Sequence, residues 1–240
     1  RLGGLEQAVE LLAEAVEADW RMVVVGDFDA DGATSCALCL RALRGMGAAQ
    51  VDYLVPNRFE YGYGLSVPLV DSIAPDLPDV LVTVDSGINC LAGVSRASEL
   101  GCSVIVTDHH LPGKELPLAD AIVNPNVPGD DVPSKNLAGV GVMFYLLSAL
   151  RGTLRDRGWF SPRRREPNLA QYLERNHHVK IIERDPKRAD EIAEQLERAI
   201  VLVGDCADED LLREEAVDTA DVYCVLTNDD EANILSSMLA

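Results

Sequence analysis

The feature that most constrains this chain is an alternation of short apolar runs with helical stretches. Residues 22–25 (Met-Val-Val-Val), 51–55, 80–84, 104–107 and 121–123 are short, apolar and rich in β-branched side chains, too short to be buried helices. Between and around them, residues 5–18, 33–44, 66–73, 90–100 and 139–150 have helical character, as Leu5, Val9, Leu12 and Val16 show in the first. Strands that alternate with helices predict an α/β fold, a parallel sheet covered by helices on both faces. In such sheets the functional residues gather just beyond the carboxyl ends of the strands. The pattern breaks between residues 151 and 167, where Arg151, Arg155, Arg157, Arg163, Arg164 and Arg165 surround Trp159, Phe160 and Pro162. It then resumes, with helices at 168–175, 186–198, 208–215 and 229–240 and strands at 179–182, 200–203 and 222–226. Two domains are predicted, 1–168 and 169–240.

Composition narrows the function classes. With 48% hydrophobic and 25% charged residues the chain is globular rather than disordered. No apolar run reaches the ~18–20 residues of a membrane span, so no membrane insertion is expected. The start, Arg1-Leu-Gly-Gly4, lacks Met and an apolar leader, and reads as the internal start of a fragment. The net charge of −19 argues against broad adhesion to nucleic acid. It leaves room for a nuclease, because a metal site needs carboxylates and a local basic patch can hold a strand. Cys36, Cys39, Cys90, Cys102, Cys206 and Cys224 mostly sit in apolar stretches, which predicts reduced buried thiols in a cytoplasmic protein. Cys36 and Cys39 have redox-like spacing, but they lie in an apolar helical run with no second pair after them.

Three predicted strand ends carry ligand-type side chains: Gly26-Asp27-Phe28-Asp29-Ala30-Asp31-Gly32, Asp85-Ser86-Gly87, and Asp108-His109-His110. Close-set carboxylates repel one another, and a shared divalent cation is the natural compensation. Carboxylates with imidazole suit manganese, and less distinctively magnesium or zinc. Two such ions ~3.5–4 Å apart can clamp a phosphoryl group and generate hydroxide for in-line attack. The sequence argues against a calcium loop, since Leu38 stands where an EF-hand starting at Asp27 needs Glu, and a strand rather than a helix precedes it.

On these motifs, residues 20–169 resemble the catalytic DHH domain of the RecJ family of single-strand-specific exonucleases. The matching segments are Val25-Gly-Asp-Phe-Asp-Ala-Asp-Gly-Ala-Thr34, Val55-Pro-Asn-Arg-Phe59 with Gly62-Tyr-Gly-Leu65, Thr83-Val-Asp-Ser-Gly-Ile88, Val106-Thr-Asp-His-His-Leu-Pro-Gly113, Asn124-Pro-Asn126 and Leu137-Ala-Gly-Val-Gly141. The resemblance implies a hydrolase of DNA repair and recombination that shortens single-stranded DNA from its 5′ end with two Mn2+ or Mg2+ ions. It implies Asp27, Asp29, Asp31, Asp85 and His109 as the metal group, with Asp85 bridging, and Asp29, Asp31, Asp85, His109 and His110 as catalytic. It gives Asp108 the task of holding a histidine in its tautomer. Substrate phosphate would meet His110, the backbone N–H groups of Gly139 and Gly141, and Arg58, for which an ordinary surface ion pair is the alternative. The arginine and aromatic stretch could track DNA with Trp159 or Phe160 stacking on bases, or it could be a solvated linker. The resemblance also implies a further metal-binding aspartate in a helix past residue 169 and a second cleft domain. Neither follows here, so an impaired site is expected.

From about residue 170 to 240 the chain resembles the truncated nucleotide-binding (RCK) domain of TrkA-type potassium uptake systems, a partial Rossmann-like domain. The segments are His178-Val-Lys-Ile-Ile-Glu-Arg-Asp185, Val203-Gly-Asp-Cys-Ala-Asp208 and Leu226-Thr-Asn-Asp-Asp-Glu-Ala-Asn-Ile234. Glu183, Asp205 and Thr227 are the implied nucleotide-binding residues. The first strand and glycine-rich turn of such a domain are missing, so weak or absent NAD or ATP binding is expected. Asp229, Asp230 and Glu231 read as helix-start acids, and His177-His178 as a surface turn. Two alternatives accompany the nuclease reading: a regulatory NAD-binding subunit partnered with a potassium-transporter membrane subunit, and an inactive chimeric fragment.

Overall fold

The structure, a computed structural model, describes residues 2–220 other than 28, 131, 133, 134, 136, 175–177, 218 and 219, and omits the side chains of Arg58 and Leu173. It divides into two compact units, Arg1–Pro167 and Asn168–Ala240.

In the first unit the order is α1 (Leu5–Glu17), β1 (Met22–Val25), α2 (Ala30–Met46), β2 (Val51–Leu54), α3 (Arg58–Tyr61), α4 (Val67–Ile73), β3 (Val80–Val84), α5 (Leu91–Glu99), β4 (Ser103–Thr107), β5 (Ala121–Val123) and α6 (Gly139–Asp156). The strands form one parallel sheet in the order β2-β1-β3-β4-β5. Strand residues alternate between two covered faces, as a period of two requires. Val23, Val25, Leu81, Val104 and Val106 pack with Leu69 and Val70 of α4 and Val94 and Ala97 of α5. Met22, Val24, Val80, Val82 and Ile105 are buried on the other face, where α2 and α6 meet the sheet. The α/β expectation therefore holds for this unit.

The strand order also fixes where a site can form. The chain leaves β1 toward β2 on one side and returns to β3 on the other. The carboxyl ends of β1 and β3 thus flank the switch point, where parallel sheets open a crevice. Val25 pairs with Thr83 and Val84 with Thr107, so the residues that follow the three strands emerge at one level.

Helix bounds depart from the sequence reading for identifiable reasons. α2 starts at Ala30, not at residue 33, because the Asp29 carboxylate accepts the Gly32 N–H at 2.8 Å and caps the helix. α6 runs on to Asp156 because Leu150 and Leu154 extend the buried stripe begun by Met143, Leu146 and Leu147. Arg151 and Arg155 are therefore helical. The arginine stretch is tied to its own unit. Arg157 pairs with Glu17 at 2.8 Å and with Glu10, and Glu166 pairs with Arg151 at 3.3 Å and with Arg155. Trp159 donates its indole N–H to Met46 O at 2.7 Å, and the Arg164 guanidinium lies 3.6 Å over its ring. The Trp159 ring and the Arg151, Arg155, Arg157 and Arg164 guanidinium groups are thus engaged within the unit.

In the second unit, β6 (Lys180–Glu183) and β7 (Ile200–Val203) pair in parallel, accompanied by α7 (Ala170–Leu173), α8 (Pro186–Ala193) and α9 (Glu209–Glu214). α8 stops at Ala193, short of the expected 198. The amides of Glu197, Arg198 and Ala199 turn instead to the buried carboxylate of Glu174, at 2.9–3.3 Å. The expected strand 222–226, the helix 229–240, Cys224, Thr227 and His177 lie outside the described residues. Among the described residues no helix is long and apolar enough to cross a membrane.

Candidate metal centre

β3 delivers Asp85 to the crevice in an unusual conformation. Its φ is 56°, a left-handed backbone that a non-glycine residue rarely adopts. Two features hold the turn. Thr83 Oγ1 donates to Ser86 O at 2.8 Å, and Gly87, at φ 113°, leaves no room for a side chain, since a Cβ there would sit 2.3 Å from Thr83 Oγ1. Asp85 is 1% exposed. Its Oδ1 lies 3.0 Å from His109 Nε2 but receives no aligned hydrogen bond from any donor. The start of α6 closes over it: a Cβ on Gly139 would be 2.7 Å from that same oxygen.

After β4, Asp108 acts as a brace. Its Oδ1 accepts the amides of His109 (2.7 Å) and His110 (3.0 Å) and faces His110 Nδ1 at 2.7 Å, while Oδ2 accepts the Ile88 amide at 2.9 Å. That arrangement holds the His110 ring by one nitrogen and leaves Nε2 on the far side. Two residues without a role in the sequence reading complete the brace. Asn124 Nδ2 donates to His110 O at 3.0 Å, and Asn126 Nδ2 donates to His109 O at 2.6 Å. The Asn-Pro-Asn spacing was visible in the sequence. Its targets are main-chain carbonyls fourteen and seventeen residues away, which no local pattern announces.

The loop after β1 supplies the other aspartates. Asp27 is buried under Gly32, whose Cβ would meet Asp27 O at 2.7 Å. Tyr63, also without an assigned role and about half exposed, has its phenol pushed above the usual range by partial desolvation and by the adjoining Asp27 carboxylate. Asp29 caps α2. Asp31 approaches His109 Nε2 at 3.7 Å, and its two oxygens accept the amides of Gly139 (2.7 Å) and Val140 (3.1 Å). The Gly139 N–H, expected on a substrate phosphate, is thus taken by Asp31. Gly141 is buried within the first turn of α6. Arg58 opens α3, on the loop that follows β2.

Of the expected ligands, the structure brings Asp85 and His109 together and adds His110: one ligand atom from each lies within 4.8 Å of the others. Asp31 borders this trio, and Asp27 and Asp29 lie on the same loop outside it. Burial raises the Asp85 carboxyl above its ordinary value. His109 opposes that rise, and the charges of Asp31 and Asp29 add to it. His109 is raised in turn, chiefly by the Asp85 carboxylate beside it. A buried carboxylate oxygen without an aligned hydrogen bond, next to two imidazoles and a second carboxylate, fits a divalent cation with mixed oxygen and nitrogen preference.

In the second unit, Glu183 Oε1 accepts the Asp185 amide at 3.0 Å and Asp205 Oδ1 accepts the Ala207 amide at 2.9 Å. Both expected nucleotide residues serve their own turns, and Thr227 lies outside the described residues.

Comparison with known proteins divides the chain along its length. Residues 21–174 match the DHH family, N-terminal domain, and residues 167–240 match the TrkA-N domain. The single-stranded-DNA-specific exonuclease RecJ of Escherichia coli strain K12 is 57% identical over 175 residues, 72% of this chain and 30% of that protein. The crystal structure of an exonuclease RecJ bound to manganese superimposes with a TM-score of 0.59 at 40% identity, covering 64% of this chain and 39% of that one. The Trk system potassium uptake protein TrkA of Vibrio alginolyticus is 53% identical over 73 residues, 30% of this chain and 16% of that protein. The chain thus spans about 30% of the length of the exonuclease relative.

Proposed function

The chain belongs to the DHH family through residues 21–174, and from that premise we propose that its first unit is a metal-dependent phosphodiesterase acting on single-stranded DNA from the 5′ end. The observation that carries this reading is the buried Asp85 Oδ1, without an aligned hydrogen bond, set against His109 and His110 at a parallel-sheet switch point. Without a cation that oxygen is costly to bury. Asp85 and His109 would hold a divalent cation, with Asp31, Asp29 and Asp27 supplying the further carboxylates of a pair. When bound, manganese or magnesium supplies Lewis acidity and a hydroxide available near neutral pH. The chain's own groups do the rest. Asp108 and the two asparagines hold the histidine rings and main chain. His110, fixed through Nδ1, presents Nε2 where it can donate to a phosphate oxygen or to a leaving oxygen. Arg58 is assigned to grip a neighbouring phosphate, and Gly141 to the rim of α6.

The test is release of nucleotides from a 5′-labelled single strand by the full chain with manganese, and its loss in Asp85→Ala. A metal-saturated wild-type chain that releases nothing refutes the assignment. Calorimetric titration separates an impaired centre, with one equivalent of manganese bound, from a complete pair with two.

The second unit carries a separate reading, since residues 167–240 match the TrkA-N domain. We assign Glu183 and Asp205 to weak NAD or ATP contact. Thermal stabilisation at millimolar NADH, lost in Glu183→Ala, supports that reading, and no shift for wild type refutes it. A domain division at residue 168 is part of the same proposal.

A further inference from the structure

We propose that Asp31 is a positioning residue, the latch that seats the N-terminus of α6 over the metal centre. The start of this 18-residue helix has no cap of its own: its N-cap residue is Ala138, which offers no side-chain acceptor. A helix start leaves several amides without intrahelical partners. Here the first two, Gly139 and Val140, donate one each to the two oxygens of Asp31, a residue 108 positions away in sequence. Asp31 itself sits in the first turn of α2. Two helix N-termini therefore converge on one carboxylate, and both favour its negative charge.

The latch has consequences for its neighbours. It presses Gly139 onto Asp85, where no Cβ fits. It also closes the segment between β5 and α6, which begins with Asn124 and Asn126, the residues that hold the carbonyls of His110 and His109. Each Asp31 oxygen spends one lone pair on an amide and keeps another, so the latch and a share in metal binding are compatible.

This makes Asp31 and Asp85 opposites within one acidic cluster. Asp85 is a buried carboxylate with an unsatisfied oxygen, so neutralising it relieves the metal-free protein. Asp31 is satisfied by two charge-assisted hydrogen bonds, so neutralising it loosens the fold. Mere repulsion among the aspartates would make both substitutions stabilising.

The experiment uses the metal-free full chain, and it stands or falls independently of the nuclease reading. Asp31→Asn is expected to lower the melting temperature and to speed hydrogen exchange across residues 137–142 by about tenfold or more. Asp85→Asn is expected to raise the melting temperature. Val140→Pro removes one donor without changing any charge, and proline is tolerated in a first helical turn. It is expected to accelerate exchange at Gly139 while the chain stays folded, and so covers the case in which Asp31→Asn fails to fold. A manganese titration of Val140→Pro then reads the coupling to the centre, with weaker binding expected. Asp31→Asn melting higher than wild type, or Val140→Pro leaving exchange at Gly139 unchanged, overturns the proposal.

Discussion

Replacing Gly139 with alanine tests how closely α6 is pressed onto the metal centre. The added Cβ would lie 2.7 Å from Asp85 Oδ1 and 2.9 Å from Asp85 Cβ and Cγ. Comfortable heavy-atom contacts begin near ~3.5 Å, so the helix start must retreat by roughly 0.7 Å. Asp85 is unable to yield, being buried in a left-handed turn with His109 on its open side. The retreat stretches the Asp31 hydrogen bonds, now 2.7 and 3.1 Å, to the edge of useful geometry and beyond. Overpacking costs about 1–3 kcal/mol, and weakening two charge-assisted bonds adds to it. A loss of roughly 2–4 kcal/mol follows, or about 5–15 °C in melting temperature for a unit of this size. Gly152 provides an internal comparison in the same helix. A Cβ there meets nothing within 4 Å, so Gly152→Ala should gain up to ~1 kcal/mol from helix propensity. Urea and thermal unfolding of both variants give the answer. If Gly139→Ala falls within ~0.5 kcal/mol of wild type, α6 is not pressed onto Asp85 and the argument fails.

Asp108→Asn replaces an acceptor-only group that serves three amides and one imidazole nitrogen; about 10–100-fold weaker manganese binding is expected by calorimetry, and unchanged affinity would remove Asp108 from the brace. In the second unit, the amides of Arg198, Ala199 and Glu197 hold Glu174 below its ordinary 4.5. A depressed carboxylate contributes stability that is present above the unfolded value and lost as pH falls through the folded one. Melting of the second unit should therefore drop more steeply below pH 4.5 in wild type than in Glu174→Gln, and identical slopes would contradict the interaction. Burial pushes the thiols of Cys36 to about 11 and Cys102 to about 12, and raises Cys39 as well. A thiol-reactive disulfide at pH 8 should leave these three unmodified until denaturant is added, and rapid labelling of any of them in the folded chain would refute their burial.

The sheet and its site edge were legible because they depend on local pattern. Short β-branched runs define the strands, and the acidic and histidine groups follow three of them directly. What the pattern missed depends on side-chain geometry, some of it local and some of it between segments far apart in sequence. The early start of α2 turns on one Asp29 hydrogen bond. The long α6 turns on two leucines that continue a buried stripe past an apparent basic linker. The arginines of that stretch read as free charge until Glu10, Glu17 and Glu166 were brought beside them.

The amino-acid order alone determined the fold class, the strand ends that carry Asp27, Asp85 and His109, and the change of family pattern near residue 168, since each is written in neighbouring residues. Only the tertiary structure decided what each carboxylate does. Asp29 caps a helix, Asp31 holds the start of another, Asp108 braces two histidines, and Asp85 is buried with an oxygen that faces only the His109 ring, without an aligned hydrogen bond. Four chemically identical side chains differ because an aspartate's role is set by which donors the fold places around it: amides close in sequence for Asp29 and largely for Asp108, and for Asp31 the amides of a helix start 108 residues away, whose position exists only once distant segments have packed.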